Sequence, residues 1–272
     1  MATIIARAAE STHWYRLEDG GAQYTVKDKK GNDRPTNLGD AKKMNLVPSV
    51  TTILKMWPKS AGLDAWKNEQ LLLAALTLPK RPDESEKNYI ARIIYDSKET
   101  GKMAAERGTQ IHESIEKWYR GEKNVDHPEI AAAFEEAVFN HFGTDPHEEW
   151  TSEQSFANSF FGGKVDLCCS PSPTAPQGIV LDTKTKEFDE DTKIDKYDEH
   201  LMQIAAYRNV LGMPQAKCAN VFVSRTKPGV IRVVEWSEEE LEKGWKMFSL
   251  LIQLWRIKNN FGEENAKPTG NK

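Results

Sequence analysis

The sequence predicts a mixed α/β fold, a core sheet flanked by helices with a mainly helical addition at its N-terminal end. Three observations carry this expectation. Residues 86–142 place apolar side chains at helical spacing. Residues 150–186 change to strand-like stretches rich in β-branched and aromatic residues. A helix, two strands and a last helix then follow, an alternation that builds a sheet with helices packed against it.

The elements can be justified in order. Aromatic and β-branched residues in 12–36 flank two turn-rich clusters, EDGG and KKGND, which predicts a small hairpin. Ser49 suits the N-cap of a short helix over VTTILKMW that Pro58 ends. A second helix is expected over 61–78, where Leu63, Trp66, Leu71 and Leu73 alternate imperfectly with charges, and the run PKRPDES is a loop. Residues 86–120 read as one or two long helices, with Gly101 and Gly108 as places for a break. Pro128 opens a helix that reaches 142. Strands follow in WTSEQSFA, FFGGKVDLCC and GIVLDTKTK, with PSPTAPQ as the turn between the last two. A helix over 196–211 is closed by Gly212 and Pro214. Strands CANVFVSR and VIRVVEW lead to a final helix capped by Ser237, and the tail EENAKPTGNK is polar and loose.

Composition removes several classes. Of the 272 residues, 39% are hydrophobic and 29% charged, which suits a globular chain and not a disordered one. The apolar run LLLAAL is far too short to span a bilayer, so no membrane partner is expected. MATIIARAAESTHWY lacks the apolar core and cleavage site of a secretory signal. The expected location is cytoplasmic, in a bacterial or phage-infected cell, with an organellar address left open. Cys168, Cys169 and Cys218 form no CxxC pair and read as small buried strand residues. Three thiols cannot hold a four-thiolate iron–sulfur cluster. The net charge of −4 divides unevenly: residues 1–120 carry +4 and residues 121–272 carry −8. Such a division suits either a nucleic-acid-holding lobe beside a metal site or an uneven surface with no role.

The chemistry centres on FGGKVDLCC and GIVLDTKTK. Strand alternation places Asp182, Lys184 and Lys186 on one face and Leu181, Thr183 and Thr185 on the other. An acid and a lysine in an otherwise apolar strand are costly unless paired or used. If the two strands form an antiparallel hairpin, Asp166 can lie across from Asp182, and two such carboxylates repel unless a cation sits between them. Oxygen donors without a cysteine or histidine cluster suit Mg²⁺ or Mn²⁺. Lys184 would bring positive charge to a scissile phosphate or its attacking water. A surface hairpin with ordinary salt bridges is the competing reading. Two helical i, i+4 pairs add to the set, His112 with Glu116 and Gln203 with Tyr207.

Taken in order, Gly108-x-x-x-His112-x-x-x-Glu116, Gly163-x-Val165-Asp166, Asp182-x-Lys184 and Gln203-x-x-x-Tyr207 resemble the RecB-like branch of the PD-(D/E)XK nucleases. The match covers residues 100–236. Upstream, VPSVTTILKMWPKSAGLDAWK is similar to a segment of the mitochondrial genome maintenance exonuclease family and its phage relatives. The resemblance implies a restriction-endonuclease-like core and a metal-dependent DNA exonuclease. It further implies a preference for single-stranded DNA, with duplex ends as a further partner, and 5′-phosphate products. An endonuclease of the same fold and a non-catalytic recombination partner remain the alternatives. By position, Asp166, Asp182 and the Thr183 carbonyl would bind Mg²⁺ or Mn²⁺, and His112 would approach the metal. Lys184 would steady the transition state, with Gln203 and Tyr207 bracing it. Glu116 and Glu153 would stand behind the ligands or be plain surface charges. Lys55, Lys59, Lys67 and Arg107 are candidate phosphate contacts, and Trp57, Trp66 and Tyr89 could stack bases. The chain lacks the cysteines of cluster-bearing relatives and resembles the cluster-free ones. The implied division is a DNA-holding region at 1–100, a nuclease core at 101–260 and a tail at 261–272.

Overall fold

The computed structural model describes residues 13–58, 61–144 and 150–262. Lys59 and the polar tail beyond 262 lie outside the described residues. The fold is mixed α/β. Its main sheet has five strands in spatial order β5 (Trp150–Ala157), β6 (Gly162–Cys169), β7 (Ile179–Lys186), β8 (Lys217–Ser224) and β9 (Ile231–Trp236). All neighbours are antiparallel except β7 and β8. That parallel pair needs a crossover, and the helix Asp198–Val210 supplies it.

The first part of the chain contains the expected hairpin but does not end with it. Strands β2 (Thr25–Lys27) and β3 (Asp33–Pro35) pair around the KKGND turn, where Gly31 adopts φ 82. Strand β1 (Trp14–Arg16) instead pairs with β4 (Leu46–Pro48), some thirty residues further on. Between them lies α1 (Leu38–Met44), closed by a capping box of Asn37 and Asp40. Neither α1 nor β4 was expected from the sequence. Ser49 caps α2 (Val50–Leu54) as expected: its hydroxyl accepts from Thr52 N at 3.0 Å. The helix stops at Leu54, before Pro58. Then come α3 (Ala61–Thr77) and α4 (Glu86–Tyr119), the latter a single helix of 34 residues that neither Gly101 nor Gly108 interrupts. Residue 100 therefore lies inside α4, which the N-terminal region and the sheet domain share.

The remaining helices are α5 (Pro128–Phe142), α6 (Asp198–Val210) and α7 (Glu238–Asn259), the last started by a capping box of Ser237 and Glu240. Two cores sandwich the sheet. On one face Val180, Cys168 and Cys218 pack with α6, α7 and α2, and Trp14 and Leu46 of the N-terminal strands join the same core. On the other face Leu167, Leu181 and Val221 pack with Ile111 and Ile115 of α4 and Phe134 of α5. The three cysteines are buried among them and are not joined in disulfides. Among the described residues, no helix is long and apolar enough to cross a membrane.

Candidate metal centre and cleft

Strand β7 runs between the two cores, so its side chains alternate as expected. Leu181 enters the second core, while Asp182 and Lys184 turn toward α6. Asp182 is 1% exposed, and its Oδ2 meets Lys184 Nζ at 2.6 Å. The same oxygen accepts from Asn220 Nδ2 at 2.6 Å. Asn220 itself is fixed from behind, because its Oδ1 accepts the indole N–H of Trp236 at 2.7 Å. An indole nitrogen only donates, so the Asn220 amide can turn just one way, with its NH₂ toward Asp182. Lys184 Nζ in turn donates to Gln203 Oε1 at 3.0 Å, and Gln203 Nε2 donates to Tyr207 Oη at 2.9 Å. One turn of α6 thus holds the lysine head group.

Asp166 arrives by a break in the sheet. The β6–β7 ladder ends at Leu167↔Leu181, one step short of bringing Asp166 against Asp182. Beyond that point Asp166 Oδ2 accepts the backbone N–H of Thr183 at 2.8 Å, a side chain standing in for the missing ladder bond. On its other flank, β5 and β6 pair on either side of Glu153 and Asp166 but not at them. Glu153 takes φ 54, the left-handed region that a non-glycine residue seldom enters within a strand. Alternation along β6 breaks here too: Val165 and Cys168 both serve the first core, and Leu167 the second. The strand is bent where Asp166 enters the site.

His112 comes from α4. Its Nδ1 lies 3.7 Å from Asp166 Oδ2. This approach depends on Gly108, one turn earlier, where a Cβ would stand 2.7 Å from Thr185 Oγ1. A larger residue here would force the Thr185 hydroxyl to turn away. An alanine in a helix interior normally adds about 1 kcal/mol over glycine. Gly108→Ala is expected to lose that gain and to reduce activity roughly tenfold by displacing His112. Urea unfolding and initial rates, with Gly101→Ala as the stability control, check both statements. A Gly108→Ala protein as active as the parent would detach His112 from the chemistry.

Charge in the site is unbalanced. Burial, and then the neighbouring Asp182, push the Asp166 carboxyl up to about 8, with Lys184 opposing them. Burial and Lys184 lower the pKa of His112, so its imidazole is neutral. Burial and Glu153 raise the Glu116 carboxyl. Among the described residues, no three His, Cys, Asp or Glu side chains converge into a ready-made cation cage. The two carboxylates nevertheless suit a hard divalent ion in donor type and in charge. Mg²⁺ is commonly held by one or two carboxylates with substrate phosphate and water completing its shell.

These groups line an open cleft of about 510 Å³. Tyr15, Tyr24, Ser49 and Thr51 from the N-terminal region form its opposite wall, and Lys164 adds a cation that pairs with Glu153. Glu116 and Glu153 line an adjoining cleft that shares His112 and Lys164 with the first. Neither Asn220 nor Lys164 was singled out by sequence, although an amide inside the apolar strand CANVFVS was a visible signal. The other candidates lie apart. Lys55 caps the C-terminus of α2, and Lys67 is exposed on α3. Arg107 contacts His127 at 2.6 Å. Trp57 packs against the first core, and Tyr89 donates to Leu78 O. Trp66 alone of the three aromatics lines a cavity beside Lys184.

No protein-family model matches the chain, and no curated protein matches it. Among solved structures it is similar to SSO0001, at 14% identity over 71% of this chain and 87% of that one, with a TM-score of 0.27. It is also similar to a protein of Eubacterium rectale described as a "Putative exonuclease", at 14% identity over 57% and 68% of the two chains, with a TM-score of 0.37. Scores this low carry no argument about fold family or activity.

Proposed function

We propose that the chain is a metal-dependent deoxyribonuclease that hydrolyses single-stranded DNA from an end and leaves 5′-phosphates. One observation carries the reading: Asp166 and Asp182 meet at an open cleft beside an ammonium group that Gln203 holds from behind. Bound to Asp166, Asp182 and the Thr183 carbonyl, Mg²⁺ or Mn²⁺ would supply an acidified water and charge neutralisation at the phosphate. The chain's own groups do the rest. A water oxygen bonds to phosphorus as the P–O3′ bond breaks, so the phosphate stays on the 5′ side and the 3′ oxygen leaves protonated. Lys184 stabilises charge developing on the phosphoryl oxygens, and Gln203 and Tyr207 keep its head group from wandering. Asn220 fixes the Asp182 carboxylate. His112, neutral beside Asp166, can accept a proton from the attacking water.

The end and single-strand preferences rest on the resemblance and on the N-terminal wall. Ser49 and Thr51 border the cleft, and α3 and α4 border the space next to it. A walled passage receives a terminus more readily than a closed circle.

The test uses end-labelled linear single strands, linear duplex and circular single strands, with Mg²⁺, Mn²⁺ or chelator. Linear single strands should be cut with either metal, and chelator should stop the reaction. Undiminished cutting in excess chelator rejects the metal role. Equal cutting of the circle replaces the exonuclease with an endonuclease of the same fold. Metal binding without any cutting makes the chain a binding partner.

A further inference from the structure

A second cavity, of about 560 Å³, opens behind Lys184. It shares Lys184 and Thr185 with the first cleft, so the two spaces meet at that lysine. Helices α3 and α4 form one wall through Gly62, Trp66 and Ala104. The other wall is aromatic. Tyr197 and His200 meet edge to face with centroids 5.5 Å apart, and His200 lies 5.8 Å from Phe222. The cavity is therefore lined by aromatic and small residues, by Lys184, Lys186 and Arg225, and by Glu187 and Glu199, of which Glu187 pairs with Arg225 at 3.3 Å.

Two details separate this space from a packing gap. The His200 ring is neutral, since burial, then Lys184, lower its pKa to about 4. Its Nδ1 is buried with no hydrogen-bond partner, and so is Nε of Arg225. Neither atom is open to the cavity as it stands, and leaving both unpaired costs free energy. Second, the volume falls within the range that holds one small ligand. It has room for one nucleoside and not for a stacked duplex step. Aromatic rings beside Lys184 and Lys186 suit a nucleotide, whose base is flat and uncharged and whose phosphate is anionic.

We propose that this cavity seats a single unpaired nucleobase, stacked on Trp66, next to the phosphate held at Lys184. The inference rests on the nuclease reading and gives it a cause for strand preference: a base paired to a second strand cannot enter.

The test is binding of a short fluorescein-labelled oligodeoxythymidylate in chelator, so that no strand is cut. One base at a time is replaced by an abasic site along the series. A single position should weaken binding about tenfold, the order of base–aromatic stacking. Trp66→Leu, which keeps apolar bulk without the ring, should bind intact and abasic strands equally. A flat abasic series with the parent protein overturns the base seat and leaves the nuclease reading in place. A position-specific loss that persists in Trp66→Leu moves the seat away from this cavity. Failure to bind any oligonucleotide in chelator overturns the base seat, while the cleavage test with Mg²⁺ decides the nuclease reading separately.

Discussion

Replacing Asp166 by asparagine is expected to lower cleavage at least about a hundredfold and to stabilise the metal-free fold. The two effects have one origin. Asp166 and Asp182 place two acids at one site with Lys184 as the nearby ammonium. The folded state therefore holds a proton on Asp166 that the unfolded chain would release near its ordinary value of 3.8. Stability from this group is greatest at low pH and is lost as pH rises toward about 8. His112 and His200 act in the opposite sense, since each is neutral in the fold and takes a proton in the unfolded chain around its ordinary value of 6.5. They offset Asp166 near pH 6.5, and Asp166 sets the slope between about 7 and 8. That slope is at most about 1.4 kcal/mol per pH unit, so the metal-free protein should lose up to about 1 kcal/mol across the window. Urea unfolding in chelator at the two ends of the window measures it. An Asp166→Asn protein with the parent's pH dependence would place the burden on some other group.

Lys184→Ala should damage both activity and stability. Cleavage is expected to fall at least about a hundredfold, through loss of positive charge at the phosphate. Stability should fall by about 3 kcal/mol, because the Asp182 carboxylate is buried and would keep only Asn220 as partner. Removing both members of the pair tells the effects apart. The double variant Asp182→Asn with Lys184→Met should recover most of the stability and none of the activity. Recovery of activity would make the pair structural.

Most of the sheet and its helices were legible because burial imposes a period. Strands β6 to β8 read as apolar runs because both faces meet a core, helices α5 and α7 turn an apolar side to one, and Ser49 and Ser237 announce helix starts by the hydroxyl that caps them. Helix α1 was missed because it buries just Ala41 and so carries no apolar stripe. Strand β4 is three residues long, too short for alternation to register, and its partner β1 is remote in sequence. In the site, Asp182, Lys184, Gln203 and Tyr207 were legible because two i, i+2 and i, i+4 spacings fix their faces. The bend at Asp166 was not. It depends on Glu153 adopting φ 54, which no local residue preference announces. Tyr15 was invisible for a similar reason: it reaches the cleft through the pairing of β1 with the distant β4.

Helix α4 spans about 50 Å and is held unevenly along that length. Between Gly108 and Ile115 it is gripped by the second core, while before Gly101 Ile93 is its sole buried side chain. Its partner α3 buries Ala74 and leaves Leu72 and Leu76 largely in water. Opening free energy must therefore be graded within one continuous helix. The α3–α4 hairpin can exchange its amides by sub-global opening while the turn that carries His112 stays closed. One rod thus has a labile arm over the second cavity and a fixed arm at the carboxylates.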